Sequence, residues 1–507
     1  MKIREKVGDS TAYTKVNAAR ILDGRGQVAG AERLYLEVAS APSGDIAPKL
    51  RAHAGLARMY VRLAEDAKAD RQYQAALHTV QESTSGLRKD ENKLTTLAME
   101  NEVHGEYIDF LMARGKTEAA LEVAESSRAR LLQERYGDGQ ATRTIDASLY
   151  KRVAQNSQAV LLSYWLGPER SYVWLTTPKQ ILAYTLPAQE RLRSLVENYR
   201  QLIEGQSNPL DEEDTTGAEL YDGLLRPVAD RLPKDGNVII APDGALNALN
   251  FETLPVPGGR PHYFIEDASV AVVPSLNLLV QSENARSGHP SGRMLLIGDP
   301  DSTDEQFPKL SYAQAEIRDI SRHFDTALVS AFTNSRAVPE AYSEMRGARY
   351  SYVHFTAHAS ANHEVPLDSA IILSGKAGAN RLTAGAVRDH KIDAEVVTIS
   401  ACRSAGAKTY AGEGLVGFMW AFFKAGAHNI VAGLWDVSDE STPELMDEMY
   451  ARLTSGETAV HALRAAKLKV IRSNETFALP YFWGPFQLYV REIPAHRTLH
   501  TQSIASN

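Results

Sequence analysis

The sequence predicts an all-α helical repeat followed by an α/β domain with a mostly parallel sheet. Three observations carry this. Residues 10–135 are rich in Ala, Leu, Arg and Glu and lack strand-like alternation. From residue 159 the apolar period drops to two. After residue 293, short apolar strands alternate with amphipathic helices, the pattern of a sheet covered on both faces. The 507 residues accommodate three to four structural units, at roughly 150 residues per unit.

In the first segment Ala19, Leu22, Gly26, Ala31 and Tyr35 recur 38 positions later as Ala57, Tyr60, Ala64, Ala69 and Tyr73. Leu111, Gly115, Ala120 and Ala124 follow after a further 51 positions. Small residues at fixed offsets let paired helices approach closely, and the tyrosines fill the space between pairs. This resembles the tetratricopeptide repeat; the alternative is a plain helical bundle.

The composition shifts over residues 136–146. Ala159–Leu166 and Tyr172–Thr176 then flank Gly167-Pro168-Glu169-Arg170 as a hairpin. Residues 189–205 form an amphipathic helix, and Val238–Pro242 is a short buried strand entering the turn Asp243-Gly244. Ser282–Arg293 is a linker rich in Ser, Gly and Pro. Beyond it, strands are expected at Met294–Ile297, Tyr352–Thr356, Glu395–Ile399 and Asn429–Leu434. Helices are expected at Tyr312–Phe324, Leu382–Asp389 (a helix or a helical turn), Gly414–Lys424, Pro443–Leu453 and Ala459–Val470. In the third of these Leu415, Phe418, Met419, Phe422 and Phe423 mark the buried face.

Composition narrows the function. Asp plus Glu number 63 against 55 Lys plus Arg, and the net charge of −8 argues against coating nucleic acid. No apolar run approaches the roughly 20 residues that cross a bilayer. The start, MKIREKVGDS, has no apolar stretch behind its basic residues, so a cytoplasmic location is the expectation. Cys402 is the sole cysteine, which excludes an intramolecular disulfide, a thiolate zinc cluster and an iron–sulfur site.

In parallel sheets chemistry collects beyond the C-terminal strand ends. The strand Tyr352–Thr356 runs into Ala357-His358-Ala359-Ser360, and Val396–Ile399 runs into Ser400-Ala401-Cys402-Arg403-Ser404. Adjacent strands would bring His358 and Cys402 to one edge. A thiol beside an imidazole suffices for acyl transfer: the ring accepts the thiol proton and returns it to the leaving amine. The backbone N–H groups of Ala359 and Cys402 are the candidate oxyanion donors.

His358 precedes Cys402 by 44 positions, much as a histidine precedes the caspase Gln-Ala-Cys-Arg-Gly signature. Residues 150–490 resemble the CHAT family, caspase-like proteases that accompany tetratricopeptide repeats in bacteria. The motifs carrying the resemblance are IIAPDGALNALNFETLP from Ile239, HFTAHAS from His354 and ISACRSAG from Ile399. AGEGLVGFMWAFFKAGAHNIVAGLWDVSDEST from Ala411 and PYFWGPFQLY from Pro480 continue it. It implies a caspase/separase-like fold with a His358–Cys402 dyad and no cofactor or metal. Its expected divisions are 1–140 for the repeats, 141–287 for a non-catalytic half, 288–495 for the catalytic half and 496–507 for a tail. Two departures stand out: Ala359 replaces the family's usual Gly, and Arg403-Ser404-Ala405-Gly406 replaces its usual Glu-Thr-Gly.

Trp435-Asp436-Val437-Ser438-Asp439 resembles the Trp-Asp-Val-Thr-Asp stretch of separase, which prefers arginine; many CHAT proteins have Pro in place of Asp436. Trp435, Asp436, Asp439 and Arg403 are therefore the candidate substrate-binding residues. The alternative is that Asp436 or Asp439 caps a helix or ties down the loop, leaving a pocket for Leu or Met. His354 is expected to be a packed core histidine, Trp420, Phe422 and Phe423 core residues. The resemblance implies a cysteine endopeptidase acting on a protein or peptide, a gasdermin-like effector among the candidates, in bacterial defence or cell death. Regulation would come from a protein partner on the repeats, without nucleic acid or membrane. The competing reading is a non-catalytic scaffold of repeats and caspase-like body.

Overall fold

A computed structural model describes residues 11–41, 46–85, 101–129, 132, 145–211, 215–282, 291–301, 305–343, 349–376, 378–401, 404, 408–410, 414–473 and 475–491. The chain divides into two compact units, Met1–Ser127 and Arg128–Asn507.

The first unit is built from antiparallel helix pairs: α1 (Ala12–Gly24) with α2 (Val28–Ala39), α3 (Ile46–Arg62) with α4 (Asp66–Ser85), and α5 (Asn101–Met112) with α6 (Thr117–Ser126). The repeat read from the sequence recurs in the backbone. Each first helix ends on the same closing bond, Gln27 N–H to Leu22 O, Glu65 N–H to Tyr60 O and Lys116 N–H to Leu111 O, at 2.9, 2.9 and 3.0 Å. The residue before each donor is left-handed: Gly26 at φ +74°, Ala64 at +56° and Gly115 at +67°. This is the C-terminal cap in which a left-handed residue lets the chain turn back on the helix. Ala19, Ala31, Ala57, Ala69, Ala120 and Ala124 are fully buried between the helices. Tyr35 lies against Gly55, where a Cβ would come within 2.5 Å of its ring.

The second unit is organised on one eleven-stranded sheet. In chain order its strands are β1 (Ala159–Trp165), β2 (Ser171–Thr176), β3 (Ile181–Leu186), β4 (Asn237–Ala241), β5 (Ser269–Val272) and β6 (Met294–Gly298). They continue with β7 (Val329–Thr333), β8 (Tyr352–Thr356), β9 (Val396–Ser400), β10 (Asn429–Gly433) and β11 (Phe486–Val490). Their spatial order is β3-β2-β1-β4-β5-β11-β10-β9-β8-β6-β7. The β1–β2–β3 meander and the β10–β11 pair are antiparallel; the remaining neighbours are parallel. The last strand closes the seam between the earlier and later strands, so one sheet runs through both 141–287 and 288–495.

The expected strands and the β1–β2 hairpin are present, as are the helices near their expected ends. Two elements differ. The helix expected from Leu382 begins at Ala384, because Arg381–Thr383 is a short strand paired antiparallel with Ala370–Ile372 and Thr383 caps the helix. The expected helix Gly414–Lys424 begins only at Phe418; Gly414–Val416 is a short strand paired antiparallel with Lys408–Tyr410. Leu415 thus belongs to a hairpin, and the glycines at 412, 414 and 417 explain why the helix does not extend back. Phe418–Ala425 itself is buried throughout except Lys424, which accounts for its apolar composition. No helix among the described residues is long and apolar enough to cross a membrane.

Candidate active site

Four parallel strands end side by side at the edge where the sequence concentrates its chemistry. Gly298 of β6 lies opposite Thr356 of β8, and Thr356 lies opposite Ser400 of β9. Ile399 of β9 lies opposite Ala432 of β10. Val353, Phe355, Val397 and Ile399 are buried, so hydrophobic burial fixes the register that aligns these tips. A Cβ on Gly298 would fall 2.7 Å from Thr356 O; only glycine permits β6 and β8 to approach so closely there.

His358 leaves β8 two residues past Thr356 and opens the short strand His358–Ser360, paired with Ala370–Ile372. Its Nε2 lies 2.6 Å from Pro308 O, and the Phe307 ring packs against the imidazole at 5.8 Å between centroids. A carbonyl oxygen only accepts, so Nε2 carries a proton. In the neutral ring Nδ1 then keeps its lone pair and is the nitrogen able to act as base. Ala359, the candidate oxyanion donor, lies opposite Ile371.

Cys402 and Arg403 lie outside the described residues; Ala401 and Ser404 on either side of them are described. Ser404 is buried; its Oγ donates to Ile399 O at 3.0 Å and accepts the Gly433 N–H at 2.8 Å. One hydroxyl thus ties Ser404 to β9 and β10. On the other side, a Cβ on Gly433 would stand 2.9 Å from Ala401 O.

The other predicted residues are spread along the next loop. Trp435 is 1% exposed, with its indole N–H directed to Tyr481 O at 3.3 Å, so its ring belongs to the core wall behind the loop. Asp436 is exposed. Asp439 Oδ2 accepts the Tyr312 N–H at 3.1 Å, linking this loop to the one that carries Pro308. Helix Thr442–Thr454 has Ser441 as its N-terminal cap residue, so neither aspartate occupies that position.

His354 is a core residue, as expected. It is fully buried, with Nε2 3.0 Å from Glu316 Oε1 and 2.8 Å from Thr356 Oγ1. Its Nδ1 lies 3.2 Å from the hydroxyl of Tyr450, which donates to Thr398 Oγ1 at 2.9 Å. Burial pushes the Tyr450 phenol well above its usual range, so it remains a neutral donor. This network stiffens β8 and β9 behind the site. No cluster of His, Cys, Asp and Glu among the described residues has the arrangement of a metal site.

Sequence reasoning missed Pro308 and Ser404. The Pro308 contribution is a backbone carbonyl, which carries no side-chain signal and reaches His358 across 50 positions.

Known proteins share this chain's family and fold. The CHAT domain model matches residues 214–491, more than half of the chain. Tetratricopeptide repeat protein 28 of Mus musculus is 31% identical over 107 residues, covering 21% of this chain and 4% of that protein. The Homo sapiens protein of the same name is 30% identical over the same length and coverage. The chain therefore spans only a small part of these relatives. Among solved structures, a chain in the Saccharomyces cerevisiae separase–securin complex superposes with a TM-score of 0.52 at 9% identity, covering 95% of this chain and 44% of that one. A second structure of that complex gives 0.50 at 10% identity, covering 85% and 38%. The fold is thus a helical repeat followed by a caspase/separase-like α/β domain.

Proposed function

This chain belongs to the CHAT-domain family, and we propose that it is a cysteine endopeptidase whose dyad is His358 and Cys402. The observation that carries the reading is the 2.6 Å hydrogen bond from His358 Nε2 to Pro308 O, which leaves Nδ1 as base. The pairing of Thr356 with Ser400 supports it, since His358 and Cys402 each follow by two residues.

In the first step Nδ1 accepts the thiol proton as Sγ attacks the scissile carbonyl. The carbonyl π electrons move to oxygen, where the backbone N–H groups of Ala359 and Cys402 are the proposed donors. Collapse re-forms the carbonyl and breaks the C–N bond, and the imidazolium gives its proton to the departing amine. A water molecule, deprotonated by Nδ1, then attacks the thioester; the C–S bond breaks, the thiol recovers its proton and the acid product leaves. Pro308 O stabilises the imidazolium by accepting its Nε2–H throughout.

The substrate is a protein or peptide, with a gasdermin-like effector as one candidate in bacterial defence or cell death. Arg403, Asp436 and Asp439 are proposed to border the path of the residue before the scissile bond, with the buried Trp435 ring backing that loop. The repeats of residues 1–140 regulate through a protein partner, 141–287 forms the non-catalytic half, 288–495 the catalytic half and 496–507 a tail, in a cytoplasmic protein. The decisive test is a thiol-reactive peptide probe followed by mass spectrometry. Selective labelling of Cys402, and loss of both labelling and peptide cleavage in Cys402→Ala, are expected. His358→Ala should lower cleavage at least about 100-fold, the usual scale for a general base. Cleavage that persists in Cys402→Ala would reject the dyad.

A further inference from the structure

A buried carboxylate stands at the sheet edge next to the end of the strand that leads into His358, matched with a cation that is still mostly in water. Asp299 follows the last residue of β6, and its N–H donates to Thr356 O at 3.0 Å, two residues before His358. Its backbone is left-handed at φ +47°, and its carbonyl accepts the Asn334 N–H at 3.0 Å. A non-glycine residue keeps such a conformation when its surroundings hold it, and this one is held from both sides.

Asp299 is 2% exposed, and among the described residues its Oδ1 has no hydrogen-bond partner. Its ion-pair partner is the Lys309 ammonium, 3.5 Å from Oδ1, close enough for charge attraction without hydrogen-bond geometry. The Lys309 side chain is 59% exposed. Lys309 directly follows Pro308, whose carbonyl holds the His358 ring. The acid, its cation and the candidate base therefore meet at one edge.

The pair is lopsided. A carboxylate this deep has lost most of its hydration, which only a close and well-bonded cation restores. An ammonium that remains largely solvated offers weak attraction and exchanges readily. A guanidinium or ammonium entering from the site, with its stem covered and its N–H groups aimed at Oδ1, restores more.

We propose that Asp299 is the floor of a subsite for a basic side chain of the substrate, occupied in the unbound protein by the chain's own Lys309. The proposal rests on the protease reading above. It differs from an acidic pocket built on Asp439, whose Oδ2 is engaged by the Tyr312 N–H.

The test compares rates of alkylation of the full-length protein by arginyl and leucyl peptide chloromethyl ketones, with the modified residue identified by mass spectrometry. In that reaction the Cys402 thiolate bonds to the methylene carbon and chloride leaves. The parent should react at least about tenfold faster with the arginyl reagent, the scale of a single charged contact. Asp299→Asn, its fold checked by thermal melting, should erase that difference. Lys309→Met removes the competitor and should speed the arginyl reaction about two- to fivefold, as expected for loss of an exposed ion pair. Equal rates in the parent, or a preference that survives in folded Asp299→Asn, would overturn the subsite. Should Asp299→Asn fail to fold, Lys309→Met decides alone, and no acceleration overturns the proposal. Failure of both reagents to label Cys402 overturns the protease reading instead, and the subsite with it.

Discussion

The Ser404 hydroxyl and the missing side chain of Gly433 hold the described residues on either side of the candidate nucleophile, Ser404 and Ala401. Ser404→Ala leaves the buried Ile399 carbonyl and Gly433 N–H without the partner they share, at about 1–3 kcal/mol. Gly433→Ala forces a Cβ to within 2.9 Å of Ala401 O, so the backbone entering Cys402 must move. Both variants should lose peptide cleavage in greater proportion than melting temperature, because the distortion falls on the residue next to the thiol; parallel kinetics and melting measure the split. A similar argument applies to Ala64 in the helical repeat. Its two counterparts, Gly26 and Gly115, occupy the left-handed cap at no steric cost, whereas Ala64 at φ +56° carries a Cβ there. The left-handed penalty of about 1–2 kcal/mol exceeds the entropy that glycine adds to the unfolded chain, about 0.4–1 kcal/mol. Ala64→Gly should therefore stabilise the first unit by roughly 0.5–1 kcal/mol in denaturant melts.

Elements whose burial matches their sequence period were legible. β8 and β9 are short apolar runs because helices and loops cover both sheet faces, and Val353, Phe355, Val397 and Ile399 read directly as core. The β1–β2 hairpin was legible from the turn residues between its strands, and the repeat from its small residues. Elements whose role depends on distant partners were not. Gly414–Val416 carries an apolar residue in phase with the helix after it, and only its pairing with Lys408–Tyr410 makes it a strand. β7 escaped notice as an edge strand with no fully buried residue, so it lacks the apolar run that marks β8. At the site, the sequence motifs identified His358 and Cys402 as candidates. What orients the imidazole is a carbonyl on a loop, and no residue type announces it. Trp435 illustrates the converse: it was singled out beside a resembling motif, yet its burial depends on Tyr481 and Gly484, far along the chain.

At the scale of the whole second unit, the sheet is continuous because β11 returns between β5 and β10, and a buried ion pair marks that seam. Lys467, on helix Ala459–Ser473, is fully buried and donates to Glu252 Oε2 and to Phe486 O at the start of β11. Asn250 adds a bond from Nδ2 to Gly484 O at 2.7 Å. Glu252 belongs to the first half of the unit and Lys467 to the second, so the pair joins segments 215 positions apart. Burial holds the Lys467 ammonium below its ordinary pKa, while the Glu252 carboxylate beside it opposes that shift. An unfolded lysine binds its proton up to about pH 10.4. Between the lowered folded pKa and that value the unfolded chain holds the extra proton, so this group's contribution to stability rises with pH through the window and is smallest below it. Lys467→Met strands the Glu252 carboxylate in the core and should cost about 3–5 kcal/mol. Lys467→Met with Glu252→Leu removes both charges and should recover most of that loss, because the pair spends much of its attraction on its own desolvation. Equilibrium denaturation of the two variants, followed by tryptophan fluorescence, measures the difference. A double variant no more stable than Lys467→Met alone would mean that the seam depends on the lysine bond to Phe486 O rather than on the charge pair.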